Sequence, residues 1–595
     1  MTTSQRPTIR SKIWIRRQLG LARGDKLPTP ALLVHVTDQA TGEAFIEVAF
    51  ATEAGEWKSV RVPKEVLRHH PAKLRDILSK FDAILPREPT ALDKVMKNLS
   101  RSDAPNWWQM APTLGWQSEG MAFALHDQLI GERQSGQSKT EPKLVPPDRN
   151  GNANMAALGK NGDLAAWKSS VAAATQRSSA VTLALCVSFA APLLSIAEWP
   201  TFMVVLFGPG KAGKSTAALA GATVLGIGQE KDLPNWNLTS AALAEVAQCY
   251  NDLPLVLNGL ESTKLRDKEL RDFLKSVTYI LGDGIETRRH SSWSVANGAP
   301  ATWRTIALVT SEQSFDEIAS RANDTRMDGE RARAINVAAI APDDNTIIDW
   351  FSKDAPEGQP DRDLWARKQV ETLRVACGQQ HGTALKPYLE YLIRQDKAKL
   401  RDQIRAAQSD FVAAVKDLIT SEALNHAAKN FGMVYAGGLL AVDAELVPLT
   451  QERLLRRLKR CFERSIQPSW CEPRPLANAL RLFSRGLQRA IAGIGTPEFE
   501  DLLAMSSPTS ADHAVEFVVH STKLFNQMFD GDEIARVSVL RWLWDKGLLE
   551  VSDRAEALRA GFTIASVRHT RRIKGKNCAT IVFRDPRAEL KAALK

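Results

Sequence analysis

Residues 208–215 read Gly-Pro-Gly-Lys-Ala-Gly-Lys-Ser, a full match to the GxxxxGK[ST] pattern of a phosphate-binding loop. Each residue type serves that chemistry. Glycines let the backbone curl so that its N–H groups point at phosphates, and a helix N-terminus adds partial positive charge. Lys214 would reach the β- and γ-phosphates, and the Ser215 hydroxyl would ligate Mg²⁺. The flanks fit as well: TFMVVLF (201–207) has the pattern of a strand, and TAALAGATVLG (216–226) that of a helix. The expected nucleotide contacts are Gly208, Pro209, Gly210, Lys211, Ala212, Gly213, Lys214, Ser215 and Thr216, with ATP and Mg²⁺ as cofactors.

Hydrolysis needs more than the loop. A second apolar strand should end in a carboxylate that holds the metal, followed by an acid that polarises the attacking water. The candidate strand LPLVL (253–257) ends instead in Asn258-Gly259. Asn258 can order a metal-bound water but carries no charge, and glycine cannot act as a base. The nearest acids are Asp252, before the strand, and Glu261, three residues beyond Asn258. Another buried strand, within ATWRTIALVTSEQS (301–314), ends in Thr310-Ser311-Glu312, polar groups placed to contact a γ-phosphate or the lytic water. Arg331 and Arg333 in MDGERARAINV are candidates to reach a neighbouring subunit's nucleotide; the alternative is a solvated helical surface.

These groups need elements to hold them. Strand–loop–helix alternation from the phosphate loop to about 345 is the signature of a parallel α/β sheet. Ahead of it, ALLVHV (31–36), EAFIEVAF (43–50) and WKSVRV (57–62) read as strands and 63–78 as a helix, giving a small α/β module over 1–100. Residues 101–160 are a loop-rich lead-in with short strands. The core spans 161–345, a helical region 346–509, and 510–595 mixes helices and hairpins. Within the helical region, QERLLRRLKRCFERS (451–465) reads as an amphipathic core helix with a solvated arginine face.

The composition, 44% hydrophobic and 25% charged over 595 residues, excludes a disordered or fibrous chain. Six scattered cysteines without a CxxC pair argue against a zinc ribbon and for a reduced, cytoplasmic protein. The start is basic without an apolar h-region, so no secretory signal is expected. The apolar run 180–196 contains Pro192 and small polar residues and is expected in the core rather than in a membrane.

The chain resembles the helicase-like AAA+ family catalogued as domain of unknown function 927, found in replication proteins of mobile elements. The blocks that carry the likeness are GWQSEGMAFAL (115–125), GPGKAGKST (208–216), WNLTSAALAEVAQCYNDLPLVL (236–257), TYILGDGIETRR (278–289), WRTIALVTSEQS (303–314) and GERAR (329–333). The resemblance implies an AAA+ ring ATPase, a homo-oligomeric hexamer acting on DNA. It carries nucleotide binding onto Lys214 and Ser215, an acidic post-strand position onto Glu312, and an arginine onto Arg333. Two positions depart from the pattern: Asn258-Gly259 replaces the acidic pair, and Thr287 stands where a basic residue is expected.

Net charge is +10, which makes its placement the issue. TYILGDGIETRRHSSW (278–293) reads as strand, Gly-Asp-Gly turn and strand, with Arg288, Arg289 and His290 on a hairpin. In ring helicases that resemble this family, such a hairpin lines the pore and tracks phosphates. At the other end, 533–552 reads as helix, turn and helix, followed by a hairpin over 566–585 turning at 574–577. That is a winged-helix pattern whose wing would set Arg568, Arg571, Arg572, Lys574 and Lys576 along a DNA backbone; a protein-docking module or a cap on the ring are the alternatives. Two functions fit: an ATP-driven DNA helicase, or a hydrolysis-impaired nucleotide- and DNA-binding assembly.

Overall fold

The computed structural model describes residues 8–593 except 40–41, 118–121, 127, 132–142, 147–157, 286–301, 323, 342–343, 353–354, 357–358, 467–475, 494–501, 507–514, 520–521, 530–532, 552–561, 563–565 and 574–575. The amino-terminal β-rich runs form a six-stranded sheet in the order Thr8–Ile9, Trp57–Pro63, Ala44–Ala51, Ala31–Asp38, Asn106–Met110, Lys143–Val145. Their alternating pattern gives each face its own apolar set. Ile46, Val48, Val60 and Val62 pack against Leu67, Leu74 and Leu99 of three helices. Leu33, Val36 and Trp108 pack with Ile15 of the Lys12–Leu19 helix. The single helix expected over 63–78 is two, Lys64–His69 and Pro71–Lys80, because Pro71 lacks the N–H that would continue the first and suits the start of the second.

The central alternation folds as a four-stranded sheet in the order Pro254–Leu257, Ile306–Ser311, Phe202–Phe207, Ala334–Ala338, every pair parallel. All four strands are buried throughout, as parallel strands covered on both faces must be. The Ser179–Ala190 helix is buried along its whole length in the same core. A Cβ on Gly437 would sit 2.6 Å from the Ala190 backbone, so the Glu422–Asp443 helix crosses this core helix at a distance only glycine permits. Among the described residues no helix is long and apolar enough to cross a membrane. The helices between Gln359 and Ile466 share this core with the sheet rather than forming one of their own.

The arginine face expected to be solvated on the Gln451–Ile466 helix is partly interior. Arg457 and Arg464 are buried. Arg464 Nη2 lies 2.9 Å from Asp349 Oδ2, and its Nη1 donates to the Ala339 carbonyl. Arg457 donates to the Gln176 carbonyl and stacks on Trp350, and burial pushes its pKa down to about 10.

The last unit has a separate core, to which the Leu476–Ala492 helix contributes Leu480, Phe483 and Leu487. A five-stranded sheet packs there with the Glu533–Asp545 helix. Where a second helix was expected before 552, the chain enters a strand, Leu549–Glu550, which pairs with Lys576–Arg584. Gly547, at φ +68°, supplies the left-handed turn between them. The hairpin is His569–Ile573 against Lys576–Arg584; pairing of Ile573 with Lys576 puts Lys576 and Asn577 in the second strand rather than in the turn.

Candidate functional site

The Gly208–Ser215 loop emerges from the Phe202–Phe207 strand and enters the Lys214–Leu225 helix. Gly208, Lys211 and Gly213 have φ of +147°, +64° and +103°, the curled backbone that turns amides inward. Lys214 is 8% exposed, and its Nζ donates to the Gly208 and Pro209 carbonyls at 2.7 Å each. Burial pulls its pKa down, opposed by the charges of Glu261 and Glu312. Ala212 is buried and Gly210 exposed; a Cβ on Gly210 would come within 3.2 Å of Glu312. Ser215 and Thr216 occupy the first turn of the helix, half-buried and buried respectively. A buried ammonium held inside a curled loop at a helix start fits an anion in kind: a phosphate would replace the two carbonyls as its partner.

The strand tips converge beside it. Thr310 Oγ1 donates to Asn258 Oδ1 at 2.7 Å and accepts from Gly259 N at 2.8 Å. Gly259, at φ +67°, turns the chain into the short helical turn Leu260–Ser262. That turn swings Glu261 back over the neighbouring strand, where its carboxylate accepts from the Glu312 backbone N–H and from Ser311 Oγ. Glu261 therefore stands at the sheet's carboxyl edge, exposed, and close enough to act electrostatically on Lys214.

Asp252, the other acid considered, sits at the opposite end of its strand. Its carboxylate accepts from Trp116 N at 3.0 Å and from Ser195 Oγ, fastening the Gly115–Gln117 strand to the core. It serves structure, and it gives a pH signature. Burial raises its pKa from 3.8 to about 6, so the folded chain holds this proton more tightly than the unfolded chain. Stability from this group is greatest below pH 4 and falls as pH rises through 4 to 6, a cost of about 3 kcal/mol once it is ionised. Asp252→Asn removes the cost. Thermal unfolding at pH 4.5 and 7.5 should show the variant gaining clearly more on the parent at the higher pH. An identical pH dependence in both proteins would mean that Asp252 does not titrate there.

A contact not foreseen from sequence closes the loop's other side. Ile347 N donates to the Ala212 carbonyl at 2.9 Å, and a Cβ on Gly213 would lie 3.0 Å from both Ile347 and Val370. The segment is pinned in turn by Ser178 Oγ on the Ile347 carbonyl and by Asp349 on Ser179 N and Arg464. The only sequence signal was the apolar pair Ile347-Ile348 just past the last strand.

Arg333 ends the Asp328–Arg333 helix at the far, amino edge of the sheet. It donates to Asp283 Oδ1 and to the Gly329 carbonyl at 3.1 Å, and lies over the Tyr279 ring. Arg331 pairs with Asp316 and Asp328. The strand expected over 278–281 is instead the end of a helix, Asp267–Asp283, with Leu274, Val277 and Leu281 turned to the core. Arg288, Arg289 and His290 lie outside the described residues, as does Lys574. Arg568 is exposed; Arg571, Arg572 and Lys576 lie in the hairpin strands.

Residues 30–292 match the family model described as "Domain of unknown function (DUF927)". Among solved structures, the chain is similar to one described as "SCCmec type IV Cch - active helicase", at 15% identity and a TM-score of 0.51, over 96% of this chain and 97% of that one. At that identity the likeness is one of fold. No curated protein matches.

Proposed function

From a chain whose residues 30–292 match the family described as Domain of unknown function (DUF927), we propose an ATP-driven AAA+ motor of the helicase class, acting on DNA during replication of a mobile element. One observation carries the reading: a curled loop with a buried lysine at the carboxyl edge of a parallel sheet, beside a returning carboxylate, Glu261. Lys214 and the loop amides would bind the phosphates of ATP, and Ser215 with Asn258 would hold Mg²⁺ directly or through water. The metal, when bound, neutralises phosphate charge. Thr310 fixes Asn258, Glu261 accepts the proton of the attacking water, and Glu312 stands at the adjoining strand tip.

The same reading makes the protein a homo-oligomeric, hexameric ring, with Arg333 serving the neighbouring subunit. Residues 288–290 would contact single-stranded DNA in the pore. The carboxyl-terminal unit, read as a winged helix, would lay Arg568, Arg571, Arg572, Lys574 and Lys576 on the backbone. Asn258-Gly259 favours a second reading, a nucleotide-switched DNA-binding assembly that does not turn over. Steady-state ATP hydrolysis, with and without single-stranded DNA and with Lys214→Ala as the blank, separates the two. DNA-stimulated turnover is the expected result; ATP binding without turnover would leave the assembly.

A further inference from the structure

The amino-terminal unit carries charge that the nucleotide site does not use. Residues 10–26 hold six basic side chains, Arg10, Lys12, Arg16, Arg17, Arg23 and Lys26, against one acid, Asp25. That acid is engaged locally, accepting from Ala22 N at 2.7 Å. Arg10 turns inward, 2.7 Å from the buried Glu47, and stacks over Trp14. Arg16 is half-buried and donates to the Asp25 carbonyl at 2.9 Å; the others face out. Lys12, Arg17, Arg23 and Lys26 are exposed, and among the described residues no carboxylate pairs with them.

Their base is rigid. The Lys12–Leu19 helix is anchored by buried Ile15 and by Trp14 edge-on to Trp108, so Lys12, Ile13 and Arg17 stand outward, 13 and 17 at one-turn spacing. Lys143, on the edge strand of the same sheet, lies over Trp108 and close enough to Arg17 for the two charges to repel; burial, with that repulsion added, lowers its pKa. Ile9 and Ile13 stand 68% and 81% exposed beside the basic row. A rigid cluster of like charges costs self-repulsion, which a polyanion with closely spaced charges relieves.

We infer that this face, Lys12 to Lys26 with Lys143, is a second nucleic-acid site that holds the sugar–phosphate backbone without reading sequence. It rests on the DNA-acting function proposed above and adds a contact outside both the pore segment and the carboxyl-terminal hairpin. The exposed isoleucines offer apolar surface for sugars and unstacked bases.

The test uses the full chain and a triple variant, Lys12→Ala, Arg17→Ala, Arg23→Ala. Anisotropy titrations with a labelled single strand and with its duplex, over a range of salt and without nucleotide, read the contact. Loss of three phosphate contacts should make the slope of log affinity against log salt shallower by roughly two for the single strand, a loss on the order of a hundredfold at about 0.1 M salt. Thermal midpoint and DNA-independent ATP turnover should not move. If the parent binds DNA and the variant matches its affinity and slope on both oligonucleotides, this inference fails alone. Equal affinity with a changed sedimentation coefficient would make the face a subunit contact and likewise overturn it. A parent that binds neither oligonucleotide ends this inference together with the reading beneath it.

Discussion

Glu261→Gln should lower DNA-stimulated ATP turnover by roughly 10²–10⁴-fold while leaving ATP affinity nearly unchanged. The strand that ought to end in a carboxylate pair ends in Asn258-Gly259, and the acid arrives by a detour. Gly259 adopts φ +67°, the chain makes one short turn, and Glu261 reaches the tip of the next strand over, on the Glu312 amide and Ser311 hydroxyl. Glutamine keeps an oxygen to accept both hydrogen bonds and so keeps the strand tips together. It lacks only the charge and the capacity to take a proton from water. Lys214 and the loop are untouched, so binding of a fluorescent ATP analogue should persist. Glu312→Gln is the needed comparison, since that carboxylate also acts on Lys214. Full turnover in Glu261→Gln with loss in Glu312→Gln would transfer the base to Glu312.

How much of this was legible in the sequence depends on how local each determinant is. The curled loop over 208–215 and its flanking strand and helix were legible because all the constraints lie within about twenty-five consecutive residues. Three of the four parallel strands stand in the sequence as continuous apolar runs; Ala334–Ala338, directly behind the arginines of GERAR, is not read as one. The misread segment, 278–281, was a contest between two local signals. Thr278, Tyr279 and Ile280 favour a strand and Gly282-Asp283-Gly284 a turn, whereas Leu274, Val277 and Leu281 recur at helical spacing from well before that turn. The longer pattern won because it buries three side chains in the core. Gly284, at φ +66°, caps that helix rather than turning a hairpin.

The buried arginines of the Gln451–Ile466 helix were illegible for a different reason. Nothing near Arg464 in sequence says that Asp349, fully buried on an irregular segment 115 residues earlier, will meet it. An arginine row on an amphipathic helix looks solvated until its partner is placed. That distant pairing also ties the helical region to the 208–215 loop. Arg464 holds Asp349, Asp349 holds Ser179, and the same segment's Ile347 rests on Ala212 and Gly213. A change in loop conformation on binding an anion therefore has a packed route into the helices.

Arg333→Ala should reduce turnover of the assembled protein by about 10³-fold or more, the effect expected of an arginine supplied in trans to a transferring phosphoryl group. The argument begins from where Arg333 cannot reach. Ala334 pairs with Met203 at the amino end of the sheet, and the phosphate loop follows Phe207 at the other, roughly 15 Å away along the strands. Within its own subunit Arg333 has no access to the loop. Its guanidinium is nevertheless held in a fixed place by Asp283, the Gly329 carbonyl and the Tyr279 ring, with its side chain 35% exposed. Arg333→Lys should fail nearly as badly, because an ammonium cannot reproduce the planar fork. Asp283→Asn, which loosens the clamp and keeps the fork, should cost far less. Mixing provides the decisive measurement. Subunits carrying Lys214→Ala lack a working loop but offer Arg333; subunits carrying Arg333→Ala offer the converse. Inactive alone, the two should recover turnover when combined, because mixed contacts restore one complete site. If mixing restores nothing and Arg333→Ala also lowers the thermal midpoint, Arg333 is a fastening of its own subunit and the proposed ring would need another finger.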